Sequence, residues 1–93
     1  GGLNSFTKQV ALESATKGVT CNALILGLVA TDIYQRGSFD KHIVQKMVDA
    51  VPMSRMGKTE EVSNVATFLC SHQASFITGA LITVDGGMSL GAR

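Results

Sequence analysis

An unbroken apolar segment between two glycines constrains the fold of this chain more than any other feature. Residues 19–26 read Val-Thr-Cys-Asn-Ala-Leu-Ile-Leu and lie between Gly18 and Gly27. A strand with one solvated face alternates apolar and polar residues, whereas a nearly continuous apolar run is typical of a parallel sheet covered on both faces. We therefore predict a buried strand over residues 19–26, in an α/β fold.

The segment 1–18 that precedes this strand is predicted to be helical from Leu3 onward. Leu3, Phe6, Val10 and Ser14 recur at helical spacing on one face of this helix, with Ala11 beside them. Gly18 is a favourable C-terminal cap, because glycine adopts the left-handed conformation that ends many helices. No capping residue precedes Leu3, and the chain does not begin with Met, so we expect it to start inside a longer protein.

Two more helices and a second strand are predicted downstream. Asp40 is expected to cap one helix, which Pro52 ends, and Thr59 is expected to cap another over residues 59–72. Their predicted buried faces contain Ile43, Val44, Met47, Val48 and Val51 in the first, and Val62, Val65, Ala66, Phe68 and Leu69 in the second. Residues 80–87 are predicted to hold the last strand and a glycine turn.

The resulting order is helix, strand, two helices, strand, with the strands parallel and joined by a right-handed crossover. Two parallel strands leave edges and faces that they cannot cover themselves. We therefore expect this chain to be part of a larger, doubly wound parallel sheet.

Charge and cysteine content argue against several classes of function. Among 93 residues, Lys and Arg total 8 and Asp and Glu total 7, so the net charge of +1 provides no basic field for nucleic acid or an anionic membrane. No apolar run reaches the roughly 18 residues of a membrane helix. Cys21 and Cys70 are predicted to be buried, reduced thiols, and neither they nor His42 and His72 have metal-site spacing.

Five stretches of the chain carry a family resemblance. They are Gly2-Leu3-x-x-Phe6-Thr7-Lys8 with Ala11-Leu12-Glu13, Gly18-Val19-Thr20-Cys21-Asn22-Ala23, Gly27-Leu28-Val29-Ala30-Thr31-Asp32, Pro52-Met53-Ser54-Arg55-Met56-Gly57 with Glu60-Glu61-Val62, and Phe76-Ile77-Thr78-Gly79 with Val84-Asp85-Gly86-Gly87. In this order and spacing the chain resembles the C-terminal portion of the short-chain dehydrogenases/reductases, and among them the 3-oxoacyl-acyl-carrier-protein reductase-like members.

The resemblance implies the C-terminal part of a single Rossmann-like, NAD(P)-binding domain whose N-terminal half is missing. The parent enzyme would reduce a carbonyl to an alcohol by hydride transfer from NADPH or NADH. The likeness to 3-oxoacyl-acyl-carrier-protein reductases implies that this carbonyl belongs to a 3-oxoacyl group. The family's glycine fingerprint and its catalytic Ser, Tyr and Lys have no counterpart here, since Tyr34 is not followed by Lys four residues later. By the family pattern the catalytic Lys lies immediately before Gly1, so this chain alone is expected to be inactive.

The resemblance also implies a cofactor-binding loop made by Gly27, Leu28, Val29 and Thr31. Its backbone groups and the Thr hydroxyl would hold the nicotinamide carboxamide, at the C-terminal end of a parallel strand where α/β sheets bind ligands. The alternative is that Gly27 only turns the chain and Thr31 only caps a helical turn. Leu26 stands where the family usually has Pro, which frees one φ angle and adds a backbone N–H.

Residues 27–52 together are interpreted as this cofactor loop followed by a substrate lid. Ile33, Tyr34 and Met47, with Met53, are expected to line an acyl pocket; the alternative is an amphipathic helix that packs on its own domain. Arg55 is predicted to donate to backbone carbonyls; the alternative is that it contacts an anionic carrier or a phosphate.

The partners implied are a small carbonyl or acyl-carrier substrate and sister subunits, without nucleic acid or membrane. The first and third helices and the last strand would build a tetramer in the parent, with the turn at Asp85 at a subunit contact. The expected compartment is the cytoplasm, or an organelle where a targeting segment lies upstream. An alternative from another class is a non-catalytic interaction module that associates with a full-length relative.

Overall fold

The computed structural model describes residues 1–31 and 40–91 of the chain. Three α-helices and two β-strands lie in this part: α1 (Gly2–Ser14), β1 (Ala23–Leu26), α2 (Lys41–Asp49), α3 (Thr59–Leu69) and β2 (Leu81–Val84). Short 3-10 turns follow α1, α3 and β2, at Ala15–Lys17, His72–Ala74 and Met88–Leu90.

Strands β1 and β2 form a parallel two-stranded sheet, which confirms the predicted α/β class. The N–H of Ala23 donates to the carbonyl of Ala80 (2.9 Å), and the N–H of Gly27 donates to the carbonyl of Val84 (3.1 Å). Both partners advance by four residues between these bonds, so the two strands run in the same direction.

Strand β1 begins at Ala23, four residues later than the sequence predicts. The reason is that side chains replace the regular ladder ahead of it. The N–H of Cys21 donates to the Thr78 hydroxyl (3.0 Å). The Asn22 amide donates to the Ile77 carbonyl (3.2 Å) and accepts from the Ala80 N–H (3.0 Å). Apolar character cannot reveal such bonds, because they depend on the loop that the chain supplies 55 residues later. The predicted burial of this strand is wrong as well, since Ile25 and Leu26 are 38% and 49% exposed.

The chain divides into two compact units, of which the first comprises Gly1–Ile25 and Ser63–Thr83. Its buried residues are small: Thr7, Ala11 and Ala74. The Thr7 hydroxyl donates to the Leu3 carbonyl one turn earlier (2.7 Å), so this buried polar group is satisfied within α1. Gly18 adopts a left-handed conformation (φ 72°) after the 3-10 turn, as its predicted capping role requires.

The predicted apolar face of α1 is only partly packed: Ala11 beside it is buried and Val10 is half-buried. Leu3 and Phe6 are 52% and 68% exposed, and Leu12 is 73% exposed. The side of α1 that packs within its unit carries Thr7 and Ala11 instead, and a Cβ atom on Gly79 would lie 3.6 Å from the Cβ of Ala11. The buried residues of α1 are thus small, and a search for large apolar residues overlooks them.

The second unit comprises Leu26–Val62 and Val84–Arg93, described as far as residue 91. Val51 is its most deeply buried side chain, and Leu28 is also buried. Gly86 lies against Val51 and Gly87 lies against Pro52, with positive φ angles of 64° and 94°. The Met53 N–H donates to the Gly86 carbonyl (3.2 Å) and closes this contact.

Helix α2 begins as predicted, because the Asp40 carboxylate accepts the N–H of His42 (2.7 Å). Its predicted buried face is only partly confirmed, since Val44, Met47 and Val48 are half-buried and Ile43 is 53% exposed. Only Val51, beyond the end of the helix, is buried.

Helix α3 begins at Thr59 itself, so the prediction of Thr59 as the cap is wrong. Glu61 reaches back instead, and its carboxylate accepts the Lys58 N–H (2.9 Å), as the acidic residue of a capping box does. Most of the predicted buried face of α3 is only half-buried, and Phe68 is 44% exposed.

Both cysteines are free, but the prediction of buried thiols is wrong: Cys21 is half-buried and Cys70 is exposed. Among residues 1–31 and 40–91, no helix has the length and apolar character needed to cross a membrane.

Candidate functional site

The candidate site is the loop that leaves the C-terminal end of β1. Gly27 opens it at a close approach of two backbones: a Cβ atom on Gly27 would lie 2.6 Å from the Cβ of Asp85 and 2.8 Å from its Cα. A side chain at this position would displace the backbone after β2, so only glycine fits there without a shift. The first residue of the loop, Gly27, therefore lies directly against Asp85.

Gly57 holds the same loop at its centre. Its N–H donates to the Leu28 carbonyl and its carbonyl accepts the Ala30 N–H, both at 2.8 Å. These bonds make an isolated parallel bridge between Val29 and Gly57. Because Leu28 is also buried, with 7% of its surface exposed, the loop backbone is anchored by packing as well as by hydrogen bonds.

The bridge leaves two polar groups of the loop available. In a parallel bridge the flanking peptide groups of Leu28 and Ala30 face Gly57, so the N–H of Val29 points to the opposite side. The Val29 carbonyl accepts the Thr31 N–H (2.8 Å). Neither the Val29 N–H nor the Thr31 hydroxyl bonds another residue among those described, and Thr31 is exposed. One donor and one hydroxyl are thus presented on a fixed backbone.

An ion pair closes the turn that carries Gly57. The Arg55 guanidinium binds Glu61 with both of its terminal nitrogens, at 2.8 and 3.0 Å, and also donates to the Met56 carbonyl (3.1 Å). The predicted bond to a backbone carbonyl is therefore present, beside a stronger bond to a carboxylate. The hydrogen bonds from Arg55 and from the Lys58 N–H lower the pKa of Glu61 to about 2. The same pair raises the pKa of Arg55.

The turn after β2 is organised by the carboxylate of Asp85. Its two oxygens accept the N–H groups of Gly87 (2.9 Å) and Ser89 (2.8 Å). Hydrogen bonds from the Ser89 backbone, then from its hydroxyl, and from the Gly87 N–H lower the pKa of Asp85. These contacts explain the turn within one chain, and its predicted role at a subunit contact stays a prediction.

The structure joins the predicted cofactor residues Gly27, Leu28, Val29 and Thr31 in this one anchored loop. Met47 is half-buried on α2, and Met53 is 65% exposed. Ile33 and Tyr34, with most of the predicted lid, lie outside the described residues.

Sequence reasoning missed Gly57 and Asp85 as parts of this site. Asp85 had a usable signal: pairing the two apolar strands in parallel register brings the residues after them, Gly27 and Asp85, side by side. Gly57 had none beyond being a glycine in a turn. No group of three or more His, Cys, Asp or Glu residues within 1–31 and 40–91 is arranged to hold a metal ion.

Comparisons with known proteins match nearly the whole chain. A family model described as enoyl-(acyl carrier protein) reductase matches residues 1–89. The 3-oxoacyl-[acyl-carrier-protein] reductase FabG of Aquifex aeolicus is 45% identical over 87 residues, which are 94% of this chain and 34% of that protein. The 7alpha-hydroxysteroid dehydrogenase of Paraclostridium sordellii is 38% identical over 91 residues, 97% of this chain and 34% of that protein.

A solved structure shows the same likeness. A 2-deoxy-d-gluconate 3-dehydrogenase from Agrobacterium tumefaciens, crystallised with bound NADP, superimposes with a TM-score of 0.84 at 31% identity. The match covers 96% of this chain and 36% of that one. The chain therefore spans about a third of the length of the relatives it matches.

Proposed function

The chain belongs to the short-chain dehydrogenase/reductase family, and from this membership we propose that it is the C-terminal part of an NAD(P)-dependent oxidoreductase. The parent enzyme reduces a small or acyl-carrier carbonyl, a 3-oxoacyl group by its likeness to FabG, to an alcohol. The family's catalytic Ser, Tyr and Lys have no counterpart in this chain, so the 93 residues alone are inactive. Their part in the reaction is to bind and orient.

The observation that carries this proposal is the anchored loop at the end of β1. The Val29 N–H and the Thr31 hydroxyl suit the carboxamide of a nicotinamide ring, which offers one carbonyl acceptor and one NH₂ donor. Gly27 and Gly57 hold the loop backbone, so the two groups keep one relative direction. NAD(P)H, when bound, supplies the hydride; the loop keeps one face of the ring toward the substrate.

The substrate side of the proposal rests on Ile33, Tyr34 and Met47 as lid residues. By their descriptions the relatives named above act on a 3-oxoacyl carrier, a hydroxysteroid and a deoxygluconate, and this variety suits a shared cofactor loop with a variable lid. Met47 is half-buried on α2, one helical turn before the buried Val51, so part of its side chain is available to a substrate.

The test is an assay of the complete reading frame that encodes this chain. We expect its product to oxidise NADPH or NADH in the presence of a 3-oxoacyl thioester, and the loss of cofactor absorbance measures this reaction. We expect the 93-residue chain to give no turnover. Absence of turnover and of cofactor binding in the complete product would reject the proposal. Turnover by the 93-residue chain alone would reject its supporting role.

The proposed assembly of the parent is a tetramer of identical chains, and its proposed compartment is the cytoplasm. Leu3 and Phe6, one helical turn apart, leave an apolar face of α1 exposed, as a subunit contact requires. Free Cys21 and Cys70 suit a reducing compartment.

The same exposed face of α1 favours a second candidate, a non-catalytic module that associates with a full-length relative. Size-exclusion chromatography with light scattering discriminates the two. Co-elution of the purified 93-residue chain with a full-length reductase, without a change in the activity of that reductase, supports the module. A monomer that co-elutes with nothing counts against it.

A further inference from the structure

The turn between Arg55 and Glu61 is closed by four hydrogen bonds that involve the side chains of these two residues. Arg55 makes two bonds to Glu61 and one to the Met56 carbonyl, and Glu61 also accepts the Lys58 N–H. Both charged side chains are nearly half exposed, 49% for Arg55 and 42% for Glu61. Exposed ion pairs contribute little to global stability, so the consequence of this pair is expected to be local.

What lies inside the closed turn is Gly57, two residues after Arg55 and four before Glu61. Its two backbone bonds reach Leu28 and Ala30, the neighbours of Val29 on either side. Fixing both neighbours fixes the peptide plane of Val29, and with it the direction of the Val29 N–H. A short chain of backbone hydrogen bonds thus joins the side-chain bonds of the turn to the Val29 N–H, which bonds no other residue of the described part of the chain.

We propose that the Arg55–Glu61 ion pair is a positioning pair for the nicotinamide end of the cofactor: it holds Gly57, which holds Leu28 and Ala30 and so aims the Val29 N–H. This inference rests on the proposed function, because it assigns that N–H to the carboxamide. Arg55 and Glu61 themselves touch no reacting atom. Their loss loosens the loop without removing any group that binds the cofactor.

The experiment measures the binding of two probes to the complete enzyme that carries this chain. One probe is the reduced nicotinamide cofactor that the wild type prefers. The other is the same cofactor without nicotinamide, namely ADP-ribose or its 2′-phosphate. Because the loop serves only the nicotinamide end, Arg55→Met and Glu61→Gln are expected to raise the Kd of the complete cofactor about fivefold. They leave the Kd of the shortened probe unchanged, and Arg55→Lys, which keeps the charge without the planar fork, is intermediate.

Glu13→Gln is the matched control, since Glu13 is an exposed carboxylate on α1 that accepts from Gln9 (3.0 Å). It is expected to change the binding of neither probe. Equal weakening of both probes by the Arg55 and Glu61 variants would mean general structural damage and overturn the inference, as would unchanged binding of the complete cofactor. A wild type that binds neither probe rejects the proposed function itself, and the inference with it.

The kinetic constants give a second readout. A purely structural loss lowers the folded fraction and therefore the maximal rate, whereas it leaves the KM for the cofactor unchanged. The positioning role predicts a higher KM for the cofactor in Arg55→Met. A fall in maximal rate with an unchanged KM would contradict it.

Discussion

Gly27 and Asp85 approach so closely that a Cβ atom on Gly27 would lie 2.6 Å from the Cβ of Asp85. The 2.8 Å distance to the Asp85 Cα means that backbone, rather than a flexible side-chain end, would have to move. This contact follows directly from the parallel pairing of β1 and β2, whose last bond joins Gly27 to Val84. It makes position 27 the most restricted point of the candidate site.

We therefore expect Gly27→Ala to lower the free energy of unfolding by about 1–3 kcal/mol, the usual cost of overpacking. Urea denaturation of the protein measures it. Gly2→Ala is the control, because nothing lies within 4 Å of a Cβ there and alanine suits the first turn of α1. Equal stabilities of the two variants would show that the backbone at Asp85 shifts at no cost.

The two apolar strands could be predicted from local pattern, their parallel pairing from the order of the elements, and the candidate loop from the family resemblance. The contacts with Gly57 and Asp85 that anchor this loop were not predicted. The ends of the strands and the buried sides of the helices could not be predicted in this way. The Asn22 side chain bonds to residues 77 and 80 and so replaces the regular ladder just ahead of β1, which no local pattern encodes. Thr7 and Ala11, rather than Leu3 and Phe6, are the buried residues of α1, and the spacing of large apolar residues does not reveal them. The start of β1 therefore depends on contacts with residues far along the chain, which a local pattern does not contain.

Leu26, which stands where the family usually has Pro, is expected to accept proline. Ala23 and Gly27 direct their N–H groups to β2, so by alternation the N–H of Leu26 points away from it. Proline is tolerated where its missing N–H has no ladder partner. Leu26→Pro is expected to change the free energy of unfolding by less than about 1 kcal/mol.

Ile25→Pro is the matched comparison, because its N–H faces β2 by the same alternation. It is expected to destabilise the protein by at least about 1 kcal/mol more than Leu26→Pro, through a lost ladder bond. Thermal or urea unfolding ranks the two. A larger loss for Leu26→Pro would show that its N–H has a partner.

The Arg55–Glu61 pair predicts how stability depends on pH. The pKa of Glu61 is about 2 in the folded protein, against roughly 4.3 in an unfolded chain. Its contribution is therefore complete above the unfolded value and is lost as the pH falls toward the folded one. The stability advantage of the wild type over Glu61→Gln should shrink between about pH 5 and pH 2.

Urea unfolding at a series of pH values measures this difference. In an Arg55→Met background the shrinkage should be smaller, because the largest cause of the shift, the hydrogen bond from Arg55, is gone. A difference between wild type and Glu61→Gln that stays constant across this pH range would rule out the ion pair as its source.

Asp85 is expected to stabilise the final turn through its two accepted N–H groups. One oxygen binds the Gly87 N–H and the other binds the Ser89 N–H. Asn keeps one acceptor oxygen and Ala keeps none, so stability should fall in the order wild type, Asp85→Asn, Asp85→Ala. Hydrogen exchange of the Gly87 and Ser89 amides should accelerate in the same order. An Asn variant as slow to exchange as the wild type at both amides would contradict the two-oxygen arrangement.

Thr31→Val tests the hydroxyl of the candidate cofactor loop. Thr31 is exposed and its hydroxyl bonds no other described residue, so this nearly isosteric change should leave the free energy of unfolding unchanged. If the hydroxyl binds the carboxamide, losing one hydrogen bond raises the KM for the nicotinamide cofactor by about two- to tenfold. Thr31→Ser keeps the hydroxyl and should stay near the wild type. Steady-state kinetics of the complete enzyme measure the cofactor KM of the two variants. A Thr31→Val variant with the cofactor KM of the wild type would exclude the Thr31 hydroxyl from cofactor binding.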